Sequence, residues 1–375
     1  MTIDSNGDDG MIVKAKIKDI ASFSKGSQIN GDDLLLDGEY DYLNGGIAPS
    51  GKWNAANAPA CTVTISEGGN SCGYVNYMEK PFWCGAHCYF LYDTISNSRY
   101  LYYAFKSQEK RLMRLRTGAC MPNIKKADLG NFEIQYDTDE IEQARITSVL
   151  RKTESIIAKR KQELSALDDL IKARFVEMFP ANSFPRVDLI DLIIQGAGLS
   201  YGIVQPGDDG TGNMGVLRPV DMVDGRISTA SIKYIDRSIG DGFRKTELTG
   251  DELLITVRGT TGITALTDER FKGMNVTRGI AVVRYERSKI NPVYLNAFLN
   301  TDESQRYIKE HTRGATLQQI NLSDLRVQKV LLPPAELQDE FATFAQHVNQ
   351  SKTAILRALD ETQLLFNSLM QQYFG

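Results

Sequence analysis

Arg313, Thr316, Gln318 and Gln319 gather a guanidinium, a hydroxyl and two amides into one short segment around Gly314 and Ala315. These groups carry paired hydrogen-bond donors and acceptors. Arginine matches guanine O6 and N7, and a carboxamide matches adenine N6 and N7. The chemistry on offer is recognition rather than bond making, with a nucleic-acid base edge as its natural object, although polar amides in a loop are commonly just solvated. An earlier segment places Arg116, Thr117 and Asn123 in the matching positions. Basic residues precede both turns: Lys110, Arg111 and Arg114 before the first, Arg306 and Lys309 before the second. Arg258, Thr260 and Thr261 follow an apolar run in a glycine-flanked turn. There short hydroxyls and close backbone approach suit a phosphate or a base edge, or simply turn the chain. Tyr42, Asn44, Trp53, Asn70 and Tyr74 early in the chain, and Tyr201, Gln205 and Arg278 later, complete the candidates, with aromatics more often found in cores.

Charge and composition limit the rest. With 43 basic and 47 acidic residues the formal net charge is −4, which argues against a broadly basic coat, so any electrostatic footprint is local. No apolar run reaches membrane-spanning length, and a cytoplasmic location is expected. Residues 1–10 are polar and acidic and are expected to form a disordered lead-in. Cys61, Cys72, Cys84, Cys88 and Cys120 all fall in the first half. His87 between two of them hints at zinc, but no C-x-x-C pair exists, and Cys84 and Cys88 are expected on one strand facing the same way as core residues, so no metal is expected. With three histidines, no P-loop, and a Gly196–Gly202 segment that misses G-x-G-x-x-G by one residue, no catalytic constellation emerges.

The elements that would position these residues are written twice. The segment 116–129 recurs without a gap as 312–325, and Tyr100–Phe105 is matched upstream by Val293–Phe298. A period this long implies a duplicated domain rather than a solenoid, with two similar sites related by pseudo-twofold symmetry. Short β-type runs such as 62–65, 88–92, 253–257 and 280–283, with helices expected near 96–115 and 292–312, make both copies α+β. Each copy runs into a heptad-patterned stretch. One passes through Leu150, Thr153, Ile157, Arg160, Leu164, Leu167, Ile171, Arg174 and Met178, the other through Leu337, Phe341, Phe344, Val348, Ser351, Ile355, Ala358, Thr362, Leu365 and Leu369. Neither helix buries its stripe alone, so an antiparallel coiled coil is expected. The expected layout is a domain over 11–139, a first spacer helix over 140–180, a second domain over 181–334 and a second spacer helix over 335–375.

In this order the strings Ser200–Gly207, Asp251-Glu252-Leu253-Leu254-Ile255-Thr256-Val257-Arg258-Gly259 and Asn275–Ala281, with first-domain counterparts Asn44–Gly51, Ile65–Gly73 and Phe82–Gly85, resemble the specificity subunits of type I restriction-modification systems. The resemblance covers nearly everything after Met11. It implies two target recognition domains, each reading one half of a bipartite, non-palindromic duplex DNA target, with the helical pair setting the unread spacer. It also implies partner subunits: two methyltransferase subunits that bind S-adenosylmethionine and methylate adenine, and a motor-nuclease subunit that joins for DNA cleavage. No cofactor is expected on this chain. Asn291-Pro292-Val293-Tyr294 is similar to the adenine methyltransferase tetrapeptide, but Val293 stands where a second proline is needed. The alternative expectation is a non-catalytic scaffold carrying two protein-binding domains on a coiled coil.

Overall fold

The computed structural model of the 375-residue chain describes residues 12–118, 122–207, 210, 212–223, 225–315 and 317–375. The expected lead-in over 1–10 lies outside them. Two compact units divide the chain, Met1–Lys161 with Arg357–Gly375 and Gln162–Leu356.

The first unit runs β1 (Ile12–Lys16), α1 (Ile17–Ile20), β2 (Ser22–Lys25), β3 (Tyr40–Leu43), β4 (Gly51–Trp53), β5 (Thr62–Ser66), β6 (Val75–Met78), β7 (Phe82–Cys84), β8 (Cys88–Tyr92), α2 (Ser98–Ser107), α3 (Glu109–Met113), α4 (Lys126–Gly130), β9 (Glu133–Asp137) and the start of α5 (Glu140–Met178). After α5 come β10 (Arg186–Asp188), β11 (Leu199–Tyr201), β12 (Met214–Leu217), β13 (Met222–Val223), β14 (Arg226–Ile227), β15 (Lys233–Ile235), α6 (Arg237–Gly240), β16 (Leu253–Thr256), β17 (Thr264–Leu266), β18 (Asn275–Val276), β19 (Ile280–Val283), α7 (Pro292–Leu299), α8 (Asp302–His311), α9 (Leu322–Arg326), β20 (Lys329–Leu331) and α10 (Ala335–Phe374).

Three sheets repeat in order between the units, and the second unit adds the ribbon β13-β14. The first unit holds β2-β8-β5-β6, β4-β3-β7 and the ribbon β1-β9; the second holds β11-β19-β16-β17, β15-β12-β18 and β10-β20. In both three-stranded sheets one pair, β3 with β7 or β12 with β18, is parallel. The duplication expected from sequence is therefore a duplication of an α+β fold. Interior strands β5 and β16 are buried along their whole length, which explains their continuous β-branched and apolar runs.

Helices α2 and α7 pack on these sheets through pairs one turn apart: Tyr100, Leu101, Ala104 and Phe105 in one, Tyr294, Leu295, Phe298 and Leu299 in the other. Each is opened by an asparagine. Asn97 accepts from the backbone of Arg99 and Tyr100, and Asn291 from Val293 and Tyr294. The caps correct the upstream alignment by one residue, since Tyr100 answers Tyr294 and not Val293. Both expected long helices also break, at Gln108 and at Asn300–Thr301, where Thr301 caps α8 by accepting from Ser304 N. Asn97→Ala is expected to destabilise the first unit by about 1 kcal/mol, measured as a lower urea midpoint at unchanged slope.

The two long helices run over Glu140–Met178 and Ala335–Phe374, and their ends are parts of the domain cores. Ile146, Leu150 and Phe374 lie in the first unit's core, and Phe175, Phe341 and Ala345 in the second's. In the first unit Arg145 lies over the Tyr373 ring (5.7 Å), and Arg160 donates to the Ala358 carbonyl and the Thr362 hydroxyl. In the second, Lys352 pairs with Asp168 and Arg174 with Glu340 (3.0 Å). In each unit positions rise along α5 as they fall along α10, so the helices are antiparallel there. The seam drifts from the strict heptad. Ser351 and Leu365 are exposed, while Lys352 is buried and Phe366 packs on the first core, as 3.6 residues per turn outruns a 3.5-residue repeat. Among the described residues no helix is long and apolar enough to cross a membrane.

Candidate nucleic-acid interface

The repeated segments form one hairpin, built twice on the same pair of backbone bonds. In the first unit Thr117 N donates to Asn123 O (2.9 Å) and Asn123 N to Thr117 O (3.0 Å), while in the second Arg313 and Gln319 exchange the same two bonds at 2.8 Å each. Gly118 and Gly314 turn these hairpins with φ of 97° and 101°. A Cβ on Gly314 would come within 2.3 Å of the Leu317 carbonyl oxygen, so glycine is required. Each hairpin is tied down to the turn that follows the central strand. Ile124 N donates to Glu67 O (2.8 Å) and Gly69 N to Pro122 O (3.0 Å); likewise Ile320 N donates to Val257 O (3.0 Å) and Gly259 N to Gln318 O (2.9 Å). Ile124 and Ile320 are fully buried below.

In the second unit this clamp brings Arg258, Thr260 and Thr261 beside Arg313, Gln318 and Gln319. Thr260, Arg313 and Gln318 are exposed, and Arg258, Thr261 and Gln319 half-buried. The Arg313 guanidinium lies 3.6 Å from the Asp324 carboxylate, and Thr261 bonds Thr312 (3.0 Å). Thr316 lies outside the described residues. Arg306 and Lys309 are exposed on α8, the helix that leads into the hairpin. Arg278 is exposed and its amide donates to Ile203 O (2.9 Å), which places it by the Tyr201–Gln205 segment, where Tyr201 and Gln205 are both exposed. In the first unit Arg114, Arg116, Thr117 and Asn123 are exposed around the hairpin, with exposed Asn70 in the facing turn.

Four candidates are placed differently from a free reading surface. Tyr42 is 2% exposed and exchanges hydrogen bonds with the backbone of Ile29, so it belongs to the core. Tyr74 lies under the Lys106 ammonium, 3.8 Å from the ring centre. Asn44 uses both ends of its amide to hold loops, donating to Gln28 (3.1 Å) and accepting from His87 N (3.1 Å). Trp53 packs edge-on against Trp83 at 6.4 Å. The two cysteines also differ from expectation. Cys84 closes β7 and Cys88 opens β8, so they sit on different strands across a turn, and Cys84 Sγ donates to Cys88 O (3.3 Å). Cys120 lies outside the described residues. Among the described residues, no three His, Cys, Asp or Glu side chains gather as metal ligands.

Sequence reading passed over Lys25 and Glu67 and weighed His87 only as a metal ligand, yet the three meet beside the first hairpin. Lys25 Nζ bonds Glu67 Oε1 (2.7 Å), and His87 Nδ1 lies 3.2 Å from Glu67 Oε2. Burial alone would push the Glu67 carboxyl up, but the Lys25 and His87 contacts outweigh it and hold the group below the usual carboxylate range. Lys25 is 42 positions from Glu67, and only the pairing of β2 and β5 through β8 brings them together.

Two repeats of one α+β fold, each presenting a backbone-clamped hairpin with divergent polar side chains, define a duplicated recognition protein. The family model described as the type I restriction modification DNA specificity domain matches residues 12–166 and 224–362, and the chain belongs to that family. A protein of Mycoplasma genitalium described as a type I specificity subunit is 32% identical over 160 residues, covering 42% of this chain and 40% of the relative. The EcoBI specificity subunit of Escherichia coli is 24% identical over 228 residues, covering 61% of this chain and 46% of the relative. The chain thus matches less than half the length of these curated relatives. The crystal structure of a type I restriction-modification S subunit from M. genitalium aligns with a TM-score of 0.66 at 18% identity, covering 98% of this chain and 97% of that one, a likeness of fold.

Proposed function

We propose that this chain is the DNA-specificity subunit of a type I restriction-modification complex, with each unit reading one half of a bipartite duplex target. Partner methyltransferase subunits, two per complex, supply S-adenosylmethionine and methylate adenine, and a motor-nuclease subunit joins for cleavage. The chain performs no covalent chemistry, and its compartment is the cytoplasm. One observation carries the reading: the same hairpin is held twice by backbone bonds while the side chains it displays differ. Thr117 stands where Arg313 does, and Pro122 where Gln318 does. A scaffold that hands unlike side chains to equivalent places suits two unlike half-sites.

Long-read detection of methylated adenine in plasmid DNA tests this, comparing cells that co-express the chain and a partner methyltransferase with cells lacking the chain. A chain-dependent bipartite, non-palindromic motif is expected. Arg313→Ala and Gln318→Ala are each expected to weaken discrimination in one half by about 10- to 100-fold, the worth of a bidentate base contact, and to leave the other half unchanged. Binding should fall steeply as salt rises, since phosphate contacts release counterions. Salt-insensitive behaviour with no methylation motif would reject the reading.

A further inference from the structure

The Lys25–Glu67–His87 cluster has no structural necessity. Its equivalents in the second unit follow from shared backbone bonds. Ser27 N donates to Cys84 O as Ile203 N does to Val276 O, and Glu67 N donates to His87 O as Val257 N does to Gly279 O. Lys25, Glu67 and His87 therefore correspond to Tyr201, Val257 and Gly279, so the same fold closes over an apolar residue where the first unit buries a carboxylate. Buried ionic groups are seldom better for stability than a hydrophobe of similar size. Stability does not account for the cluster.

Its position does. Glu67 directly follows β5 and its carbonyl accepts from Ile124 N, the bond that ties down the hairpin, and its side chain is only 10% exposed, whereas those of Lys25 and His87 are 42% and 54% exposed. A Cβ on Gly68 would lie 3.6 Å from Pro122 O and 3.9 Å from His87 Nδ1, so the imidazole and the hairpin both border the same glycine. The Asn44 side chain accepts from His87 N and fixes the backbone on the other side.

We propose that Lys25 and His87 form a second DNA-reading element of the first unit, His87 contacting a base edge and Lys25 an adjoining phosphate, with Glu67 as the positioning residue that anchors both. This rests on the function proposed above. A carboxylate accepts from Nδ1–H, which fixes the tautomer and leaves Nε2 as an acceptor suited to the exocyclic amino group of adenine or cytosine in the major groove. Tying the Lys25 ammonium to the same carboxylate reduces the freedom that its flexible stem would lose on binding. The two units would then read their half-sites by different means: a hairpin arginine and amides in the second, a clamped histidine and lysine in the first.

The test uses the full chain with its partner methyltransferase and the same methylation readout, followed by binding to a fluorescent duplex carrying the wild-type motif. His87→Gln should relax one position in one half of the motif about tenfold. Glu67→Val, which installs the second unit's residue, should relax that same position without lowering the unfolding temperature, an outcome that a merely structural role would not give. Lys25→Met should leave the motif intact, weaken binding and reduce the salt slope by about one. If the His87 and Glu67 variants methylate the wild-type motif unchanged while Arg313→Ala alters the other half, the cluster has no reading role and the specificity function stands. If the wild-type chain directs no methylation, both fall.

Discussion

Phe341→Ala is expected to lower the unfolding free energy of the second unit by about 3 to 5 kcal/mol. The ring is fully buried and meets Phe175 edge-on at 5.3 Å and Phe179 at 5.7 Å. Phe175 in turn stacks on Tyr294 at 5.4 Å. One side chain thus joins the last turns of α5, the first turns of α10 and helix α7. Its removal leaves a cavity that three anchored rings cannot collapse to fill, and forfeits two aromatic pairs worth about 0.5 to 1.5 kcal/mol each. Denaturant titration followed by circular dichroism measures the effect. Leu364→Ala, at a 69% exposed position of the same helix, should stay within about 0.5 kcal/mol of the parent. Equal midpoints for the two variants would show that the helix end contributes nothing to that core.

Gly202→Ala is expected to cost about as much, roughly 3 to 5 kcal/mol, through the backbone instead of a cavity. A Cβ there would lie 1.9 Å from the Val276 carbonyl oxygen, the same oxygen that accepts from Ile203 N at 2.8 Å. Nothing flexible can yield, so β18 must move away and that bond is lost. Gly26 repeats the situation, its Cβ falling 1.7 Å from the Cys84 carbonyl oxygen, and Gly26→Ala should be equally damaging to the first unit. Gly242 supplies the contrast. It has open space around it, and Gly242→Ala should be neutral or slightly stabilising by the loss of unfolded-chain freedom. The same denaturant titration distinguishes the three variants, and a Gly202→Ala protein as stable as the parent would mean that the two strands are not held at this separation.

The repeat was legible because its marks are physically obligatory. Gly118 and Gly314 must take positive φ, and Ile124, Ile320, Leu129 and Leu325 must be buried, so these letters persist where others drift. The two long helices were legible too, since glycine- and proline-free heptads extend over whole elements. Their facing residues were not. Over some forty residues of α10 the helical drift carries Lys352 inward in place of Ser351. Local strings also misplaced what tertiary pairing decides. Tyr42 reads as a polar aromatic near a turn yet closes a core, and Cys84 and Cys88 read as one strand although a turn separates them. The charged cluster at Lys25, Glu67 and His87 could not be seen at all, because its members come from three strands or turns whose proximity is a property of sheet order.

Each hairpin is fixed by backbone amides and carbonyls, by one glycine and by one buried isoleucine, and none of these ties uses an outward-facing side chain of Arg258, Arg313 or Gln318. What the loop displays is therefore nearly uncoupled from what keeps it folded. A library randomised at Arg258, Arg313 and Gln318 should retain most of its members as folded chains, so the loop's displayed chemistry can change without passing through unfolded intermediates.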